Sequence, residues 1–153
     1  MKEALLLGHV ALGVGCLITT VWVFVDALQV SNANLARIRW MSRAAALFMW
    51  LAFAAGGFWY VTDYPPDKNL ILSGPWPSAH NYFMETKEHF VITLLLLVTY
   101  LPIAASNNLA VNKAARRLVL CVAALVAGLV LLSEGHGAII SLGVKAGLQA
   151  KPH

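Results

Sequence analysis

Four apolar runs, each long enough to cross a lipid bilayer, constrain the fold of this chain more than any other feature. They cover about residues 4–30, 40–62, 84–105 and 114–140. A helix needs about 20 apolar residues to span a bilayer core. Only 12% of the residues are charged, against about a quarter in a soluble domain. The sequence therefore predicts an all-α integral membrane protein, folded over residues 1–153 as a single up-down bundle of four transmembrane helices.

The first run is predicted to be a retained helix rather than a cleaved signal peptide. Its charged start is only Lys2 beside Glu3, and the run is far longer than a signal core of about 7–15 residues. Cys16 and Cys121 fall inside the first and fourth runs. Cysteines within apolar helices are more often small packing residues than disulfide partners, so we predict no bridge between them.

Basic residues cluster in the two short connections that join helices one and two and helices three and four. Connection 31–43 contains Arg37, Arg39 and Arg43, and connection 106–117 contains Lys113, Arg116 and Arg117. Short basic connections stay in the cytoplasm, which predicts a bacterial inner-membrane protein with both termini on the periplasmic side. The net charge of +4 then reflects membrane orientation, and no nucleic-acid partner is expected. Asp26 is expected to pair with Arg37 or Arg39.

Residues 63–83 form the only substantial segment predicted outside the membrane. Prolines at positions 65, 66, 75 and 77 exclude a long helix there. Trp76 and Tyr82 fit an aromatic belt at the outer interface. We predict an outer loop that lies on the mouth of the bundle.

Histidines are the main candidates for a functional site. Three of the chain's five histidines, His9, His89 and His136, lie within apolar helices and toward the predicted outer face. A polar group in hydrocarbon needs a partner and is a functional hypothesis by default. Helices one and three are diagonal in a simple up-down bundle, so His9 and His89 would face each other at similar depth. This arrangement suits haem b with two axial imidazoles, with His136 as an alternative ligand.

Two alternatives to haem stay open. Glu85 and His89 share one helical face because they are four positions apart, and carboxylate with imidazole suits a non-haem Cu, Fe or Zn ion. Glu85 and Glu88 can instead simply favour the positive end of the helix dipole. If the histidines likewise only satisfy backbone groups or lipid head groups, the chain is a structural accessory subunit without a cofactor. A transporter is disfavoured, since no chain of buried acids crosses the membrane.

The histidine pattern on four helices resembles the four-helix membrane b-type cytochromes, the cytochrome b561-like class. The resemblance implies one haem b near the outer face and an electron-transfer subunit of a larger complex. Its partners would be a quinol and other membrane or periplasmic redox subunits. The chain departs from many such cytochromes because no histidine near the other face is available for a second haem.

If a haem is bound near the outer face, position alone suggests roles for residues around it. Hydrogen bonds to the haem propionates would come from Trp76, Asn81, Tyr82 and Lys87. A quinol proton would be accepted by Glu85, Glu88 or Glu134. His136 would contact a haem edge or bind a quinol oxygen.

Overall fold

A computed structural model describes residues 2–150 of the chain, and this part is entirely helical apart from its turns. The elements are α1 (Lys2–Leu28), α2 (Leu35–Thr62), α3 (Tyr64–Ser73), a π-helix (Ala79–Met84), α4 (Glu85–Ala105) and α5 (Lys113–Gln149). Four spans are long and apolar enough to cross a membrane: Glu3–Leu28, Leu35–Thr62, Ala79–Ala105 and Lys113–Gln149. The predicted all-α, multi-pass class is confirmed.

The four long helices pack around a square. α1 contacts α2 and α5, and α4 contacts the same two helices. Over residues 2–150, α1 and α4 do not touch, so they are diagonal, as the simple up-down order predicts. The centre of the bundle is an apolar core in which Val23, Ala45, Leu94, Val98 and Val126 are almost completely buried.

One end of the bundle, which we call the basic end, carries the turns at 29–34 and 106–112. Arg37 donates from Nε and Nη2 to the two carboxylate oxygens of Asp26, each at 2.6 Å. The expected partner of Asp26 is therefore Arg37. Arg116 donates to the carbonyl oxygens of Ala27 and Leu28. The last carbonyl groups of a helix lack intrahelical partners, so Arg116 caps α1 from a distant part of the chain.

The opposite end, which we call the loop end, carries residues 63–84 and differs from the predicted loop. The segment contains two helical pieces, α3 and the π-helix, and the π-helix continues directly into α4. Pro65 and Pro66 occupy the first turn of α3. A proline costs little there, because the missing N–H would have no helical partner.

Helix α5 has 37 residues and extends beyond its predicted end at 140. At the helical rise it is about 55 Å long, whereas a bilayer core is about 30 Å thick. Its last turns pack against α3 through Gly143 and Gly147. A Cβ on Gly147 would lie 2.5 Å from the Leu70 carbonyl oxygen, and one on Gly143 would lie 2.5 Å from the Cβ of Ala79. The two glycines thus allow α3 and the π-helix to approach the backbone of α5.

A buried hydrogen bond links α3 to the π-helix. The Tyr64 hydroxyl lies 2.9 Å from Nδ1 of His80, and both side chains are buried. Burial raises the pKa of the Tyr64 phenol, and the negative charges of Glu88 and Asp67 raise it further. The phenol therefore stays protonated, and its hydrogen bond with His80 ties α3 to the π-helix.

We expect Gly147→Ala to destabilise the protein and Gly128→Ala to leave it unchanged or slightly more stable. Both positions lie in α5, but a Cβ on Gly128 meets nothing within 4 Å. The added methyl at 147 meets a backbone oxygen, and overpacking costs about 1–3 kcal/mol. Thermal unfolding in detergent measures the difference. Equal melting temperatures for the two variants would contradict the close packing of α3 on α5.

Candidate functional site

A cavity of about 550 Å³ lies between the four long helices near the loop end. This volume falls within the range of small-molecule sites. Most of the lining side chains are apolar or aromatic, among them Leu6, Val10, Met49, Phe53, Trp59, Met84, Val91, Ile92 and Ile140. The more polar lining residues are His9, Tyr60, Lys87, Glu88, Ser133, Glu134 and Ser141. The cavity is therefore amphipathic, with ionisable groups from all four long helices inside an apolar wall.

His9 enters the cavity from α1 in a fixed orientation. Its Nδ1 lies 2.8 Å from the carbonyl oxygen of Ala52 on α2. Because a carbonyl only accepts, Nδ1 carries the proton, and the neutral ring keeps Nε2 as an acceptor. A Cβ on Gly56 would lie 2.6 Å from both Nδ1 and Cε1 of His9. Gly56 thus provides the space that the imidazole ring occupies against α2.

Glu134 on α5 and Lys87 on α4 are both half-buried in the cavity wall. Oε1 of Glu134 lies against α1 at Gly13, where any Cβ would collide with it. Nζ of Lys87 lies 3.5 Å from the position that a Cβ on Gly137 would take. An ionised group in an apolar environment needs a compensating charge or hydrogen bond. Lys87 and Glu134 provide opposite charges in the same cavity.

His89 and His136 do not line this cavity. His89 is exposed on α4, and its Nδ1 donates to the carbonyl oxygen of Glu85 at 2.5 Å. His136 is buried between the rings of Phe83 and Phe90, at centroid distances of 5.3 and 5.6 Å. Its Nδ1 has no hydrogen-bond partner among residues 2–150. Of the three predicted ligands, the structure places His9 at the cavity.

The second group of predicted residues is divided in the same way. Lys87, Glu88 and Glu134 line the cavity, whereas Trp76, Asn81, Tyr82 and Glu85 are exposed outside it. Sequence reasoning missed Gly56 and Tyr60 as residues of the cavity. The adjacent glycines at 56 and 57, within an otherwise apolar helix, were the available signal for Gly56. Tyr60 and Glu88 both line the cavity.

The cavity can be tested for its fit to haem or a metal ion. Haem b with two axial imidazoles needs both rings to face one space, and the lining residues include one histidine, His9. Within the described residues, no group of three or more His, Cys, Asp and Glu side chains is arranged to hold a metal ion. The residues at the cavity thus do not fit the predicted pair of axial ligands, and haem binding stays a prediction from the sequence.

Comparisons with protein-family models, with curated proteins and with solved structures found no match to this chain.

The position of the His9 imidazole against Gly56 can be tested by comparing Gly56→Ala with Gly57→Ala. A methyl at position 56 would push the imidazole off the Ala52 carbonyl, whereas a Cβ at position 57 meets nothing within 4 Å. We expect Gly56→Ala to lower stability by about 1–3 kcal/mol and Gly57→Ala to have little effect, as measured by thermal unfolding.

A double-mutant cycle identifies the cause of that loss. With His9→Ala present, Gly56→Ala should cost much less, because the two positions are in direct contact. If Gly56→Ala lowers stability equally with and without the imidazole, the clash lies elsewhere. The position of His9 against Gly56 would then be wrong.

Proposed function

We propose that this chain is a membrane-embedded redox subunit that binds a quinol, or its quinone, in the cavity at the loop end. The observation that supports the proposal is the convergence of His9, Lys87 and Glu134, from three helices, on one mostly apolar cavity. Sites for lipid-soluble ligands in helix bundles combine such apolar walls with a few polar groups that fix orientation.

The three ionisable groups match the chemistry of a quinol head group. His9 Nε2 accepts a hydrogen bond from a quinol hydroxyl, since Nδ1 is engaged by Ala52. Lys87 donates to a quinone carbonyl, and Glu134 accepts a proton. The apolar wall, including Val10, Met49 and Val91, contacts the rest of the ring and the start of its tail.

Glu88 is suited to exchange protons between the cavity and water. It lines the cavity and is also exposed. Oxidation of a quinol to a quinone releases two protons and two electrons. In this proposal Glu134 and Glu88 take up the protons. The electrons pass to a haem or iron–sulfur subunit of the complex that contains this chain.

The proposal includes an orientation in a bacterial inner membrane. The basic end, with all five arginines of the chain, lies in the cytoplasm, because short basic connections are retained there. The cavity and residues 63–84 then lie toward the periplasm. A cysteine placed at an exposed loop-end position such as Ser78 should react with a membrane-impermeant thiol reagent in intact cells, and one at Asn108 should not.

Binding of a short-chain ubiquinone analogue to the purified chain distinguishes His9 from His89. We expect His9→Gln to weaken binding by about 1–3 kcal/mol, because a buried ligand hydroxyl loses its acceptor. This loss corresponds to about 5- to 150-fold in Kd. His89→Gln is the matched control, since His89 is exposed outside the cavity. Unmeasurable binding to the wild type, or equal effects of both substitutions, would contradict the proposal.

The opposite charges of Lys87 and Glu134 lead to a separate prediction. Lys87→Met or Glu134→Gln alone leaves the other charge without compensation in an apolar wall, so each should lower the melting temperature. The double variant should recover much of that stability and still bind the quinone analogue weakly. If the double variant binds the analogue as tightly as the wild type, Lys87 and Glu134 do not contribute to the binding site.

Haem b is the second candidate function, and the hydrogen bond of His9 favours it. Metal-ligating histidines usually donate their other ring N–H to a carbonyl or carboxylate, as His9 does to Ala52. A bound haem would supply one-electron chemistry near the loop end. A reduced-minus-oxidised absorption spectrum of the purified chain tests this function.

The spectrum and a metal analysis separate the candidates. Sharp b-type bands lost in both His9→Gln and His89→Gln would support the ligand pair predicted from the sequence. Iron, copper or zinc without a porphyrin band would support a non-haem site. Quinone binding without either would support a subunit that depends on its partners for redox cofactors. Absence of all three would leave a structural accessory subunit.

A further inference from the structure

The six cationic side chains at the basic end fall into two groups by what they contact. Arg37 and Arg116 bind other groups of the same chain. Arg37 forms the bidentate ion pair with Asp26, and Arg116 caps the last carbonyls of α1. Asp26 is the only acidic residue of the sequence that falls in the half of the bundle at the basic end. The other six acidic residues of the chain lie toward the loop end. The remaining cations therefore have no acid at this end to neutralise them.

These remaining cations are Arg39, Arg43, Lys113 and Arg117. Arg43, Lys113 and Arg117 are exposed. Arg39 donates from Nη2 to the carbonyl oxygens of Ser106 and Asn107, which fixes its position without neutralising its charge. Its Nε has no hydrogen-bond partner in the part of the chain that the structure describes. The basic end therefore presents uncompensated positive charge on both α2 and α5.

Apolar side chains lie beside this charge and indicate what covers it. Trp40 is 65% exposed, and the guanidinium of Arg43 lies 5.2 Å from its ring centroid. Val111, in the turn before α5, is 77% exposed. A tryptophan beside cations at the end of a transmembrane helix is typical of the membrane interface. A lipid surface solvates both kinds of group, whereas water solvates the cations alone.

We propose that the basic end binds the phosphate groups of anionic phospholipids in the adjacent leaflet. Arg43, held against Trp40, is one anchor on α2, and Arg117 is the corresponding anchor on α5. Each basic residue near an anionic membrane surface contributes about fivefold to binding. This inference is independent of the ligand in the cavity, because the two sites lie at opposite ends of the bundle.

Lipid selectivity of the full chain tests the proposal. The purified protein in a neutral detergent is mixed with equal amounts of phosphatidylglycerol and phosphatidylcholine, and retained lipids are counted by native mass spectrometry. The wild type should retain phosphatidylglycerol preferentially and melt at a higher temperature with it. Arg43→Gln and Arg117→Gln should each reduce that preference about fivefold.

Lys145→Gln is the matched control, because Lys145 is an exposed cation on the loop-end part of α5. It should leave the preference unchanged. Equal retention of the two lipids by the wild type would overturn the proposal, and so would an equal loss in Lys145→Gln. Stabilisation by inorganic phosphate to the same extent as by phosphatidylglycerol would also overturn it, because the site would then be one for free phosphate.

Discussion

The cost of keeping ionisable side chains inside an apolar bundle governs the loop end of this protein. His9, Lys87 and Glu134 come from three different helices, and each lies against a glycine on a neighbouring one: Gly56, Gly137 and Gly13 respectively. Small residues in membrane helices usually allow two backbones to approach. Here the space is taken by ionisable side chains instead. The helices are held at a distance that leaves a cavity between them.

The two ends of the bundle solve the same electrostatic problem in different ways. At the basic end, Asp26 is paired with Arg37, and Arg116 caps α1, so both interactions are made within the fold. At the loop end, Lys87 and Glu134 line a space that a ligand can enter. Between the ends, Val23, Val98 and Val126 belong to a buried apolar core. This core separates the two ends.

The fold was predictable from sequence because few backbone structures are stable in a lipid bilayer. Apolar runs of sufficient length must form helices that satisfy their own backbone, and the four spans follow. The boundaries were less predictable, since they depend on packing between distant segments. α5 continues past residue 140 because Gly143 and Gly147 pack against α3 and the π-helix. No local signal marks that contact.

The site was predictable only in part, for a reason of helix geometry. Residues two positions apart on an α-helix point about 200° apart, so Lys87 and His89 face nearly opposite sides of α4. The same holds for Glu134 and His136 on α5. Sequence spacing places each pair at one depth in the membrane, but it does not say which member faces inward. That choice depends on how each helix is rotated about its axis, which only tertiary packing determines.

The π-helix at Ala79–Met84 runs into α4 without a break. A π-turn contains about one residue more than an α-turn and therefore shifts the phase of every residue that follows. In the present phase Lys87 faces the cavity and His89 faces out. A haem held by His89 would require α4 to turn by about half a rotation, and Lys87 would then leave the cavity. The haem ligand pair predicted from the sequence and the proposed quinol site thus require two different rotations of α4. The structure presents the rotation that brings Lys87 together with His9 and Glu134.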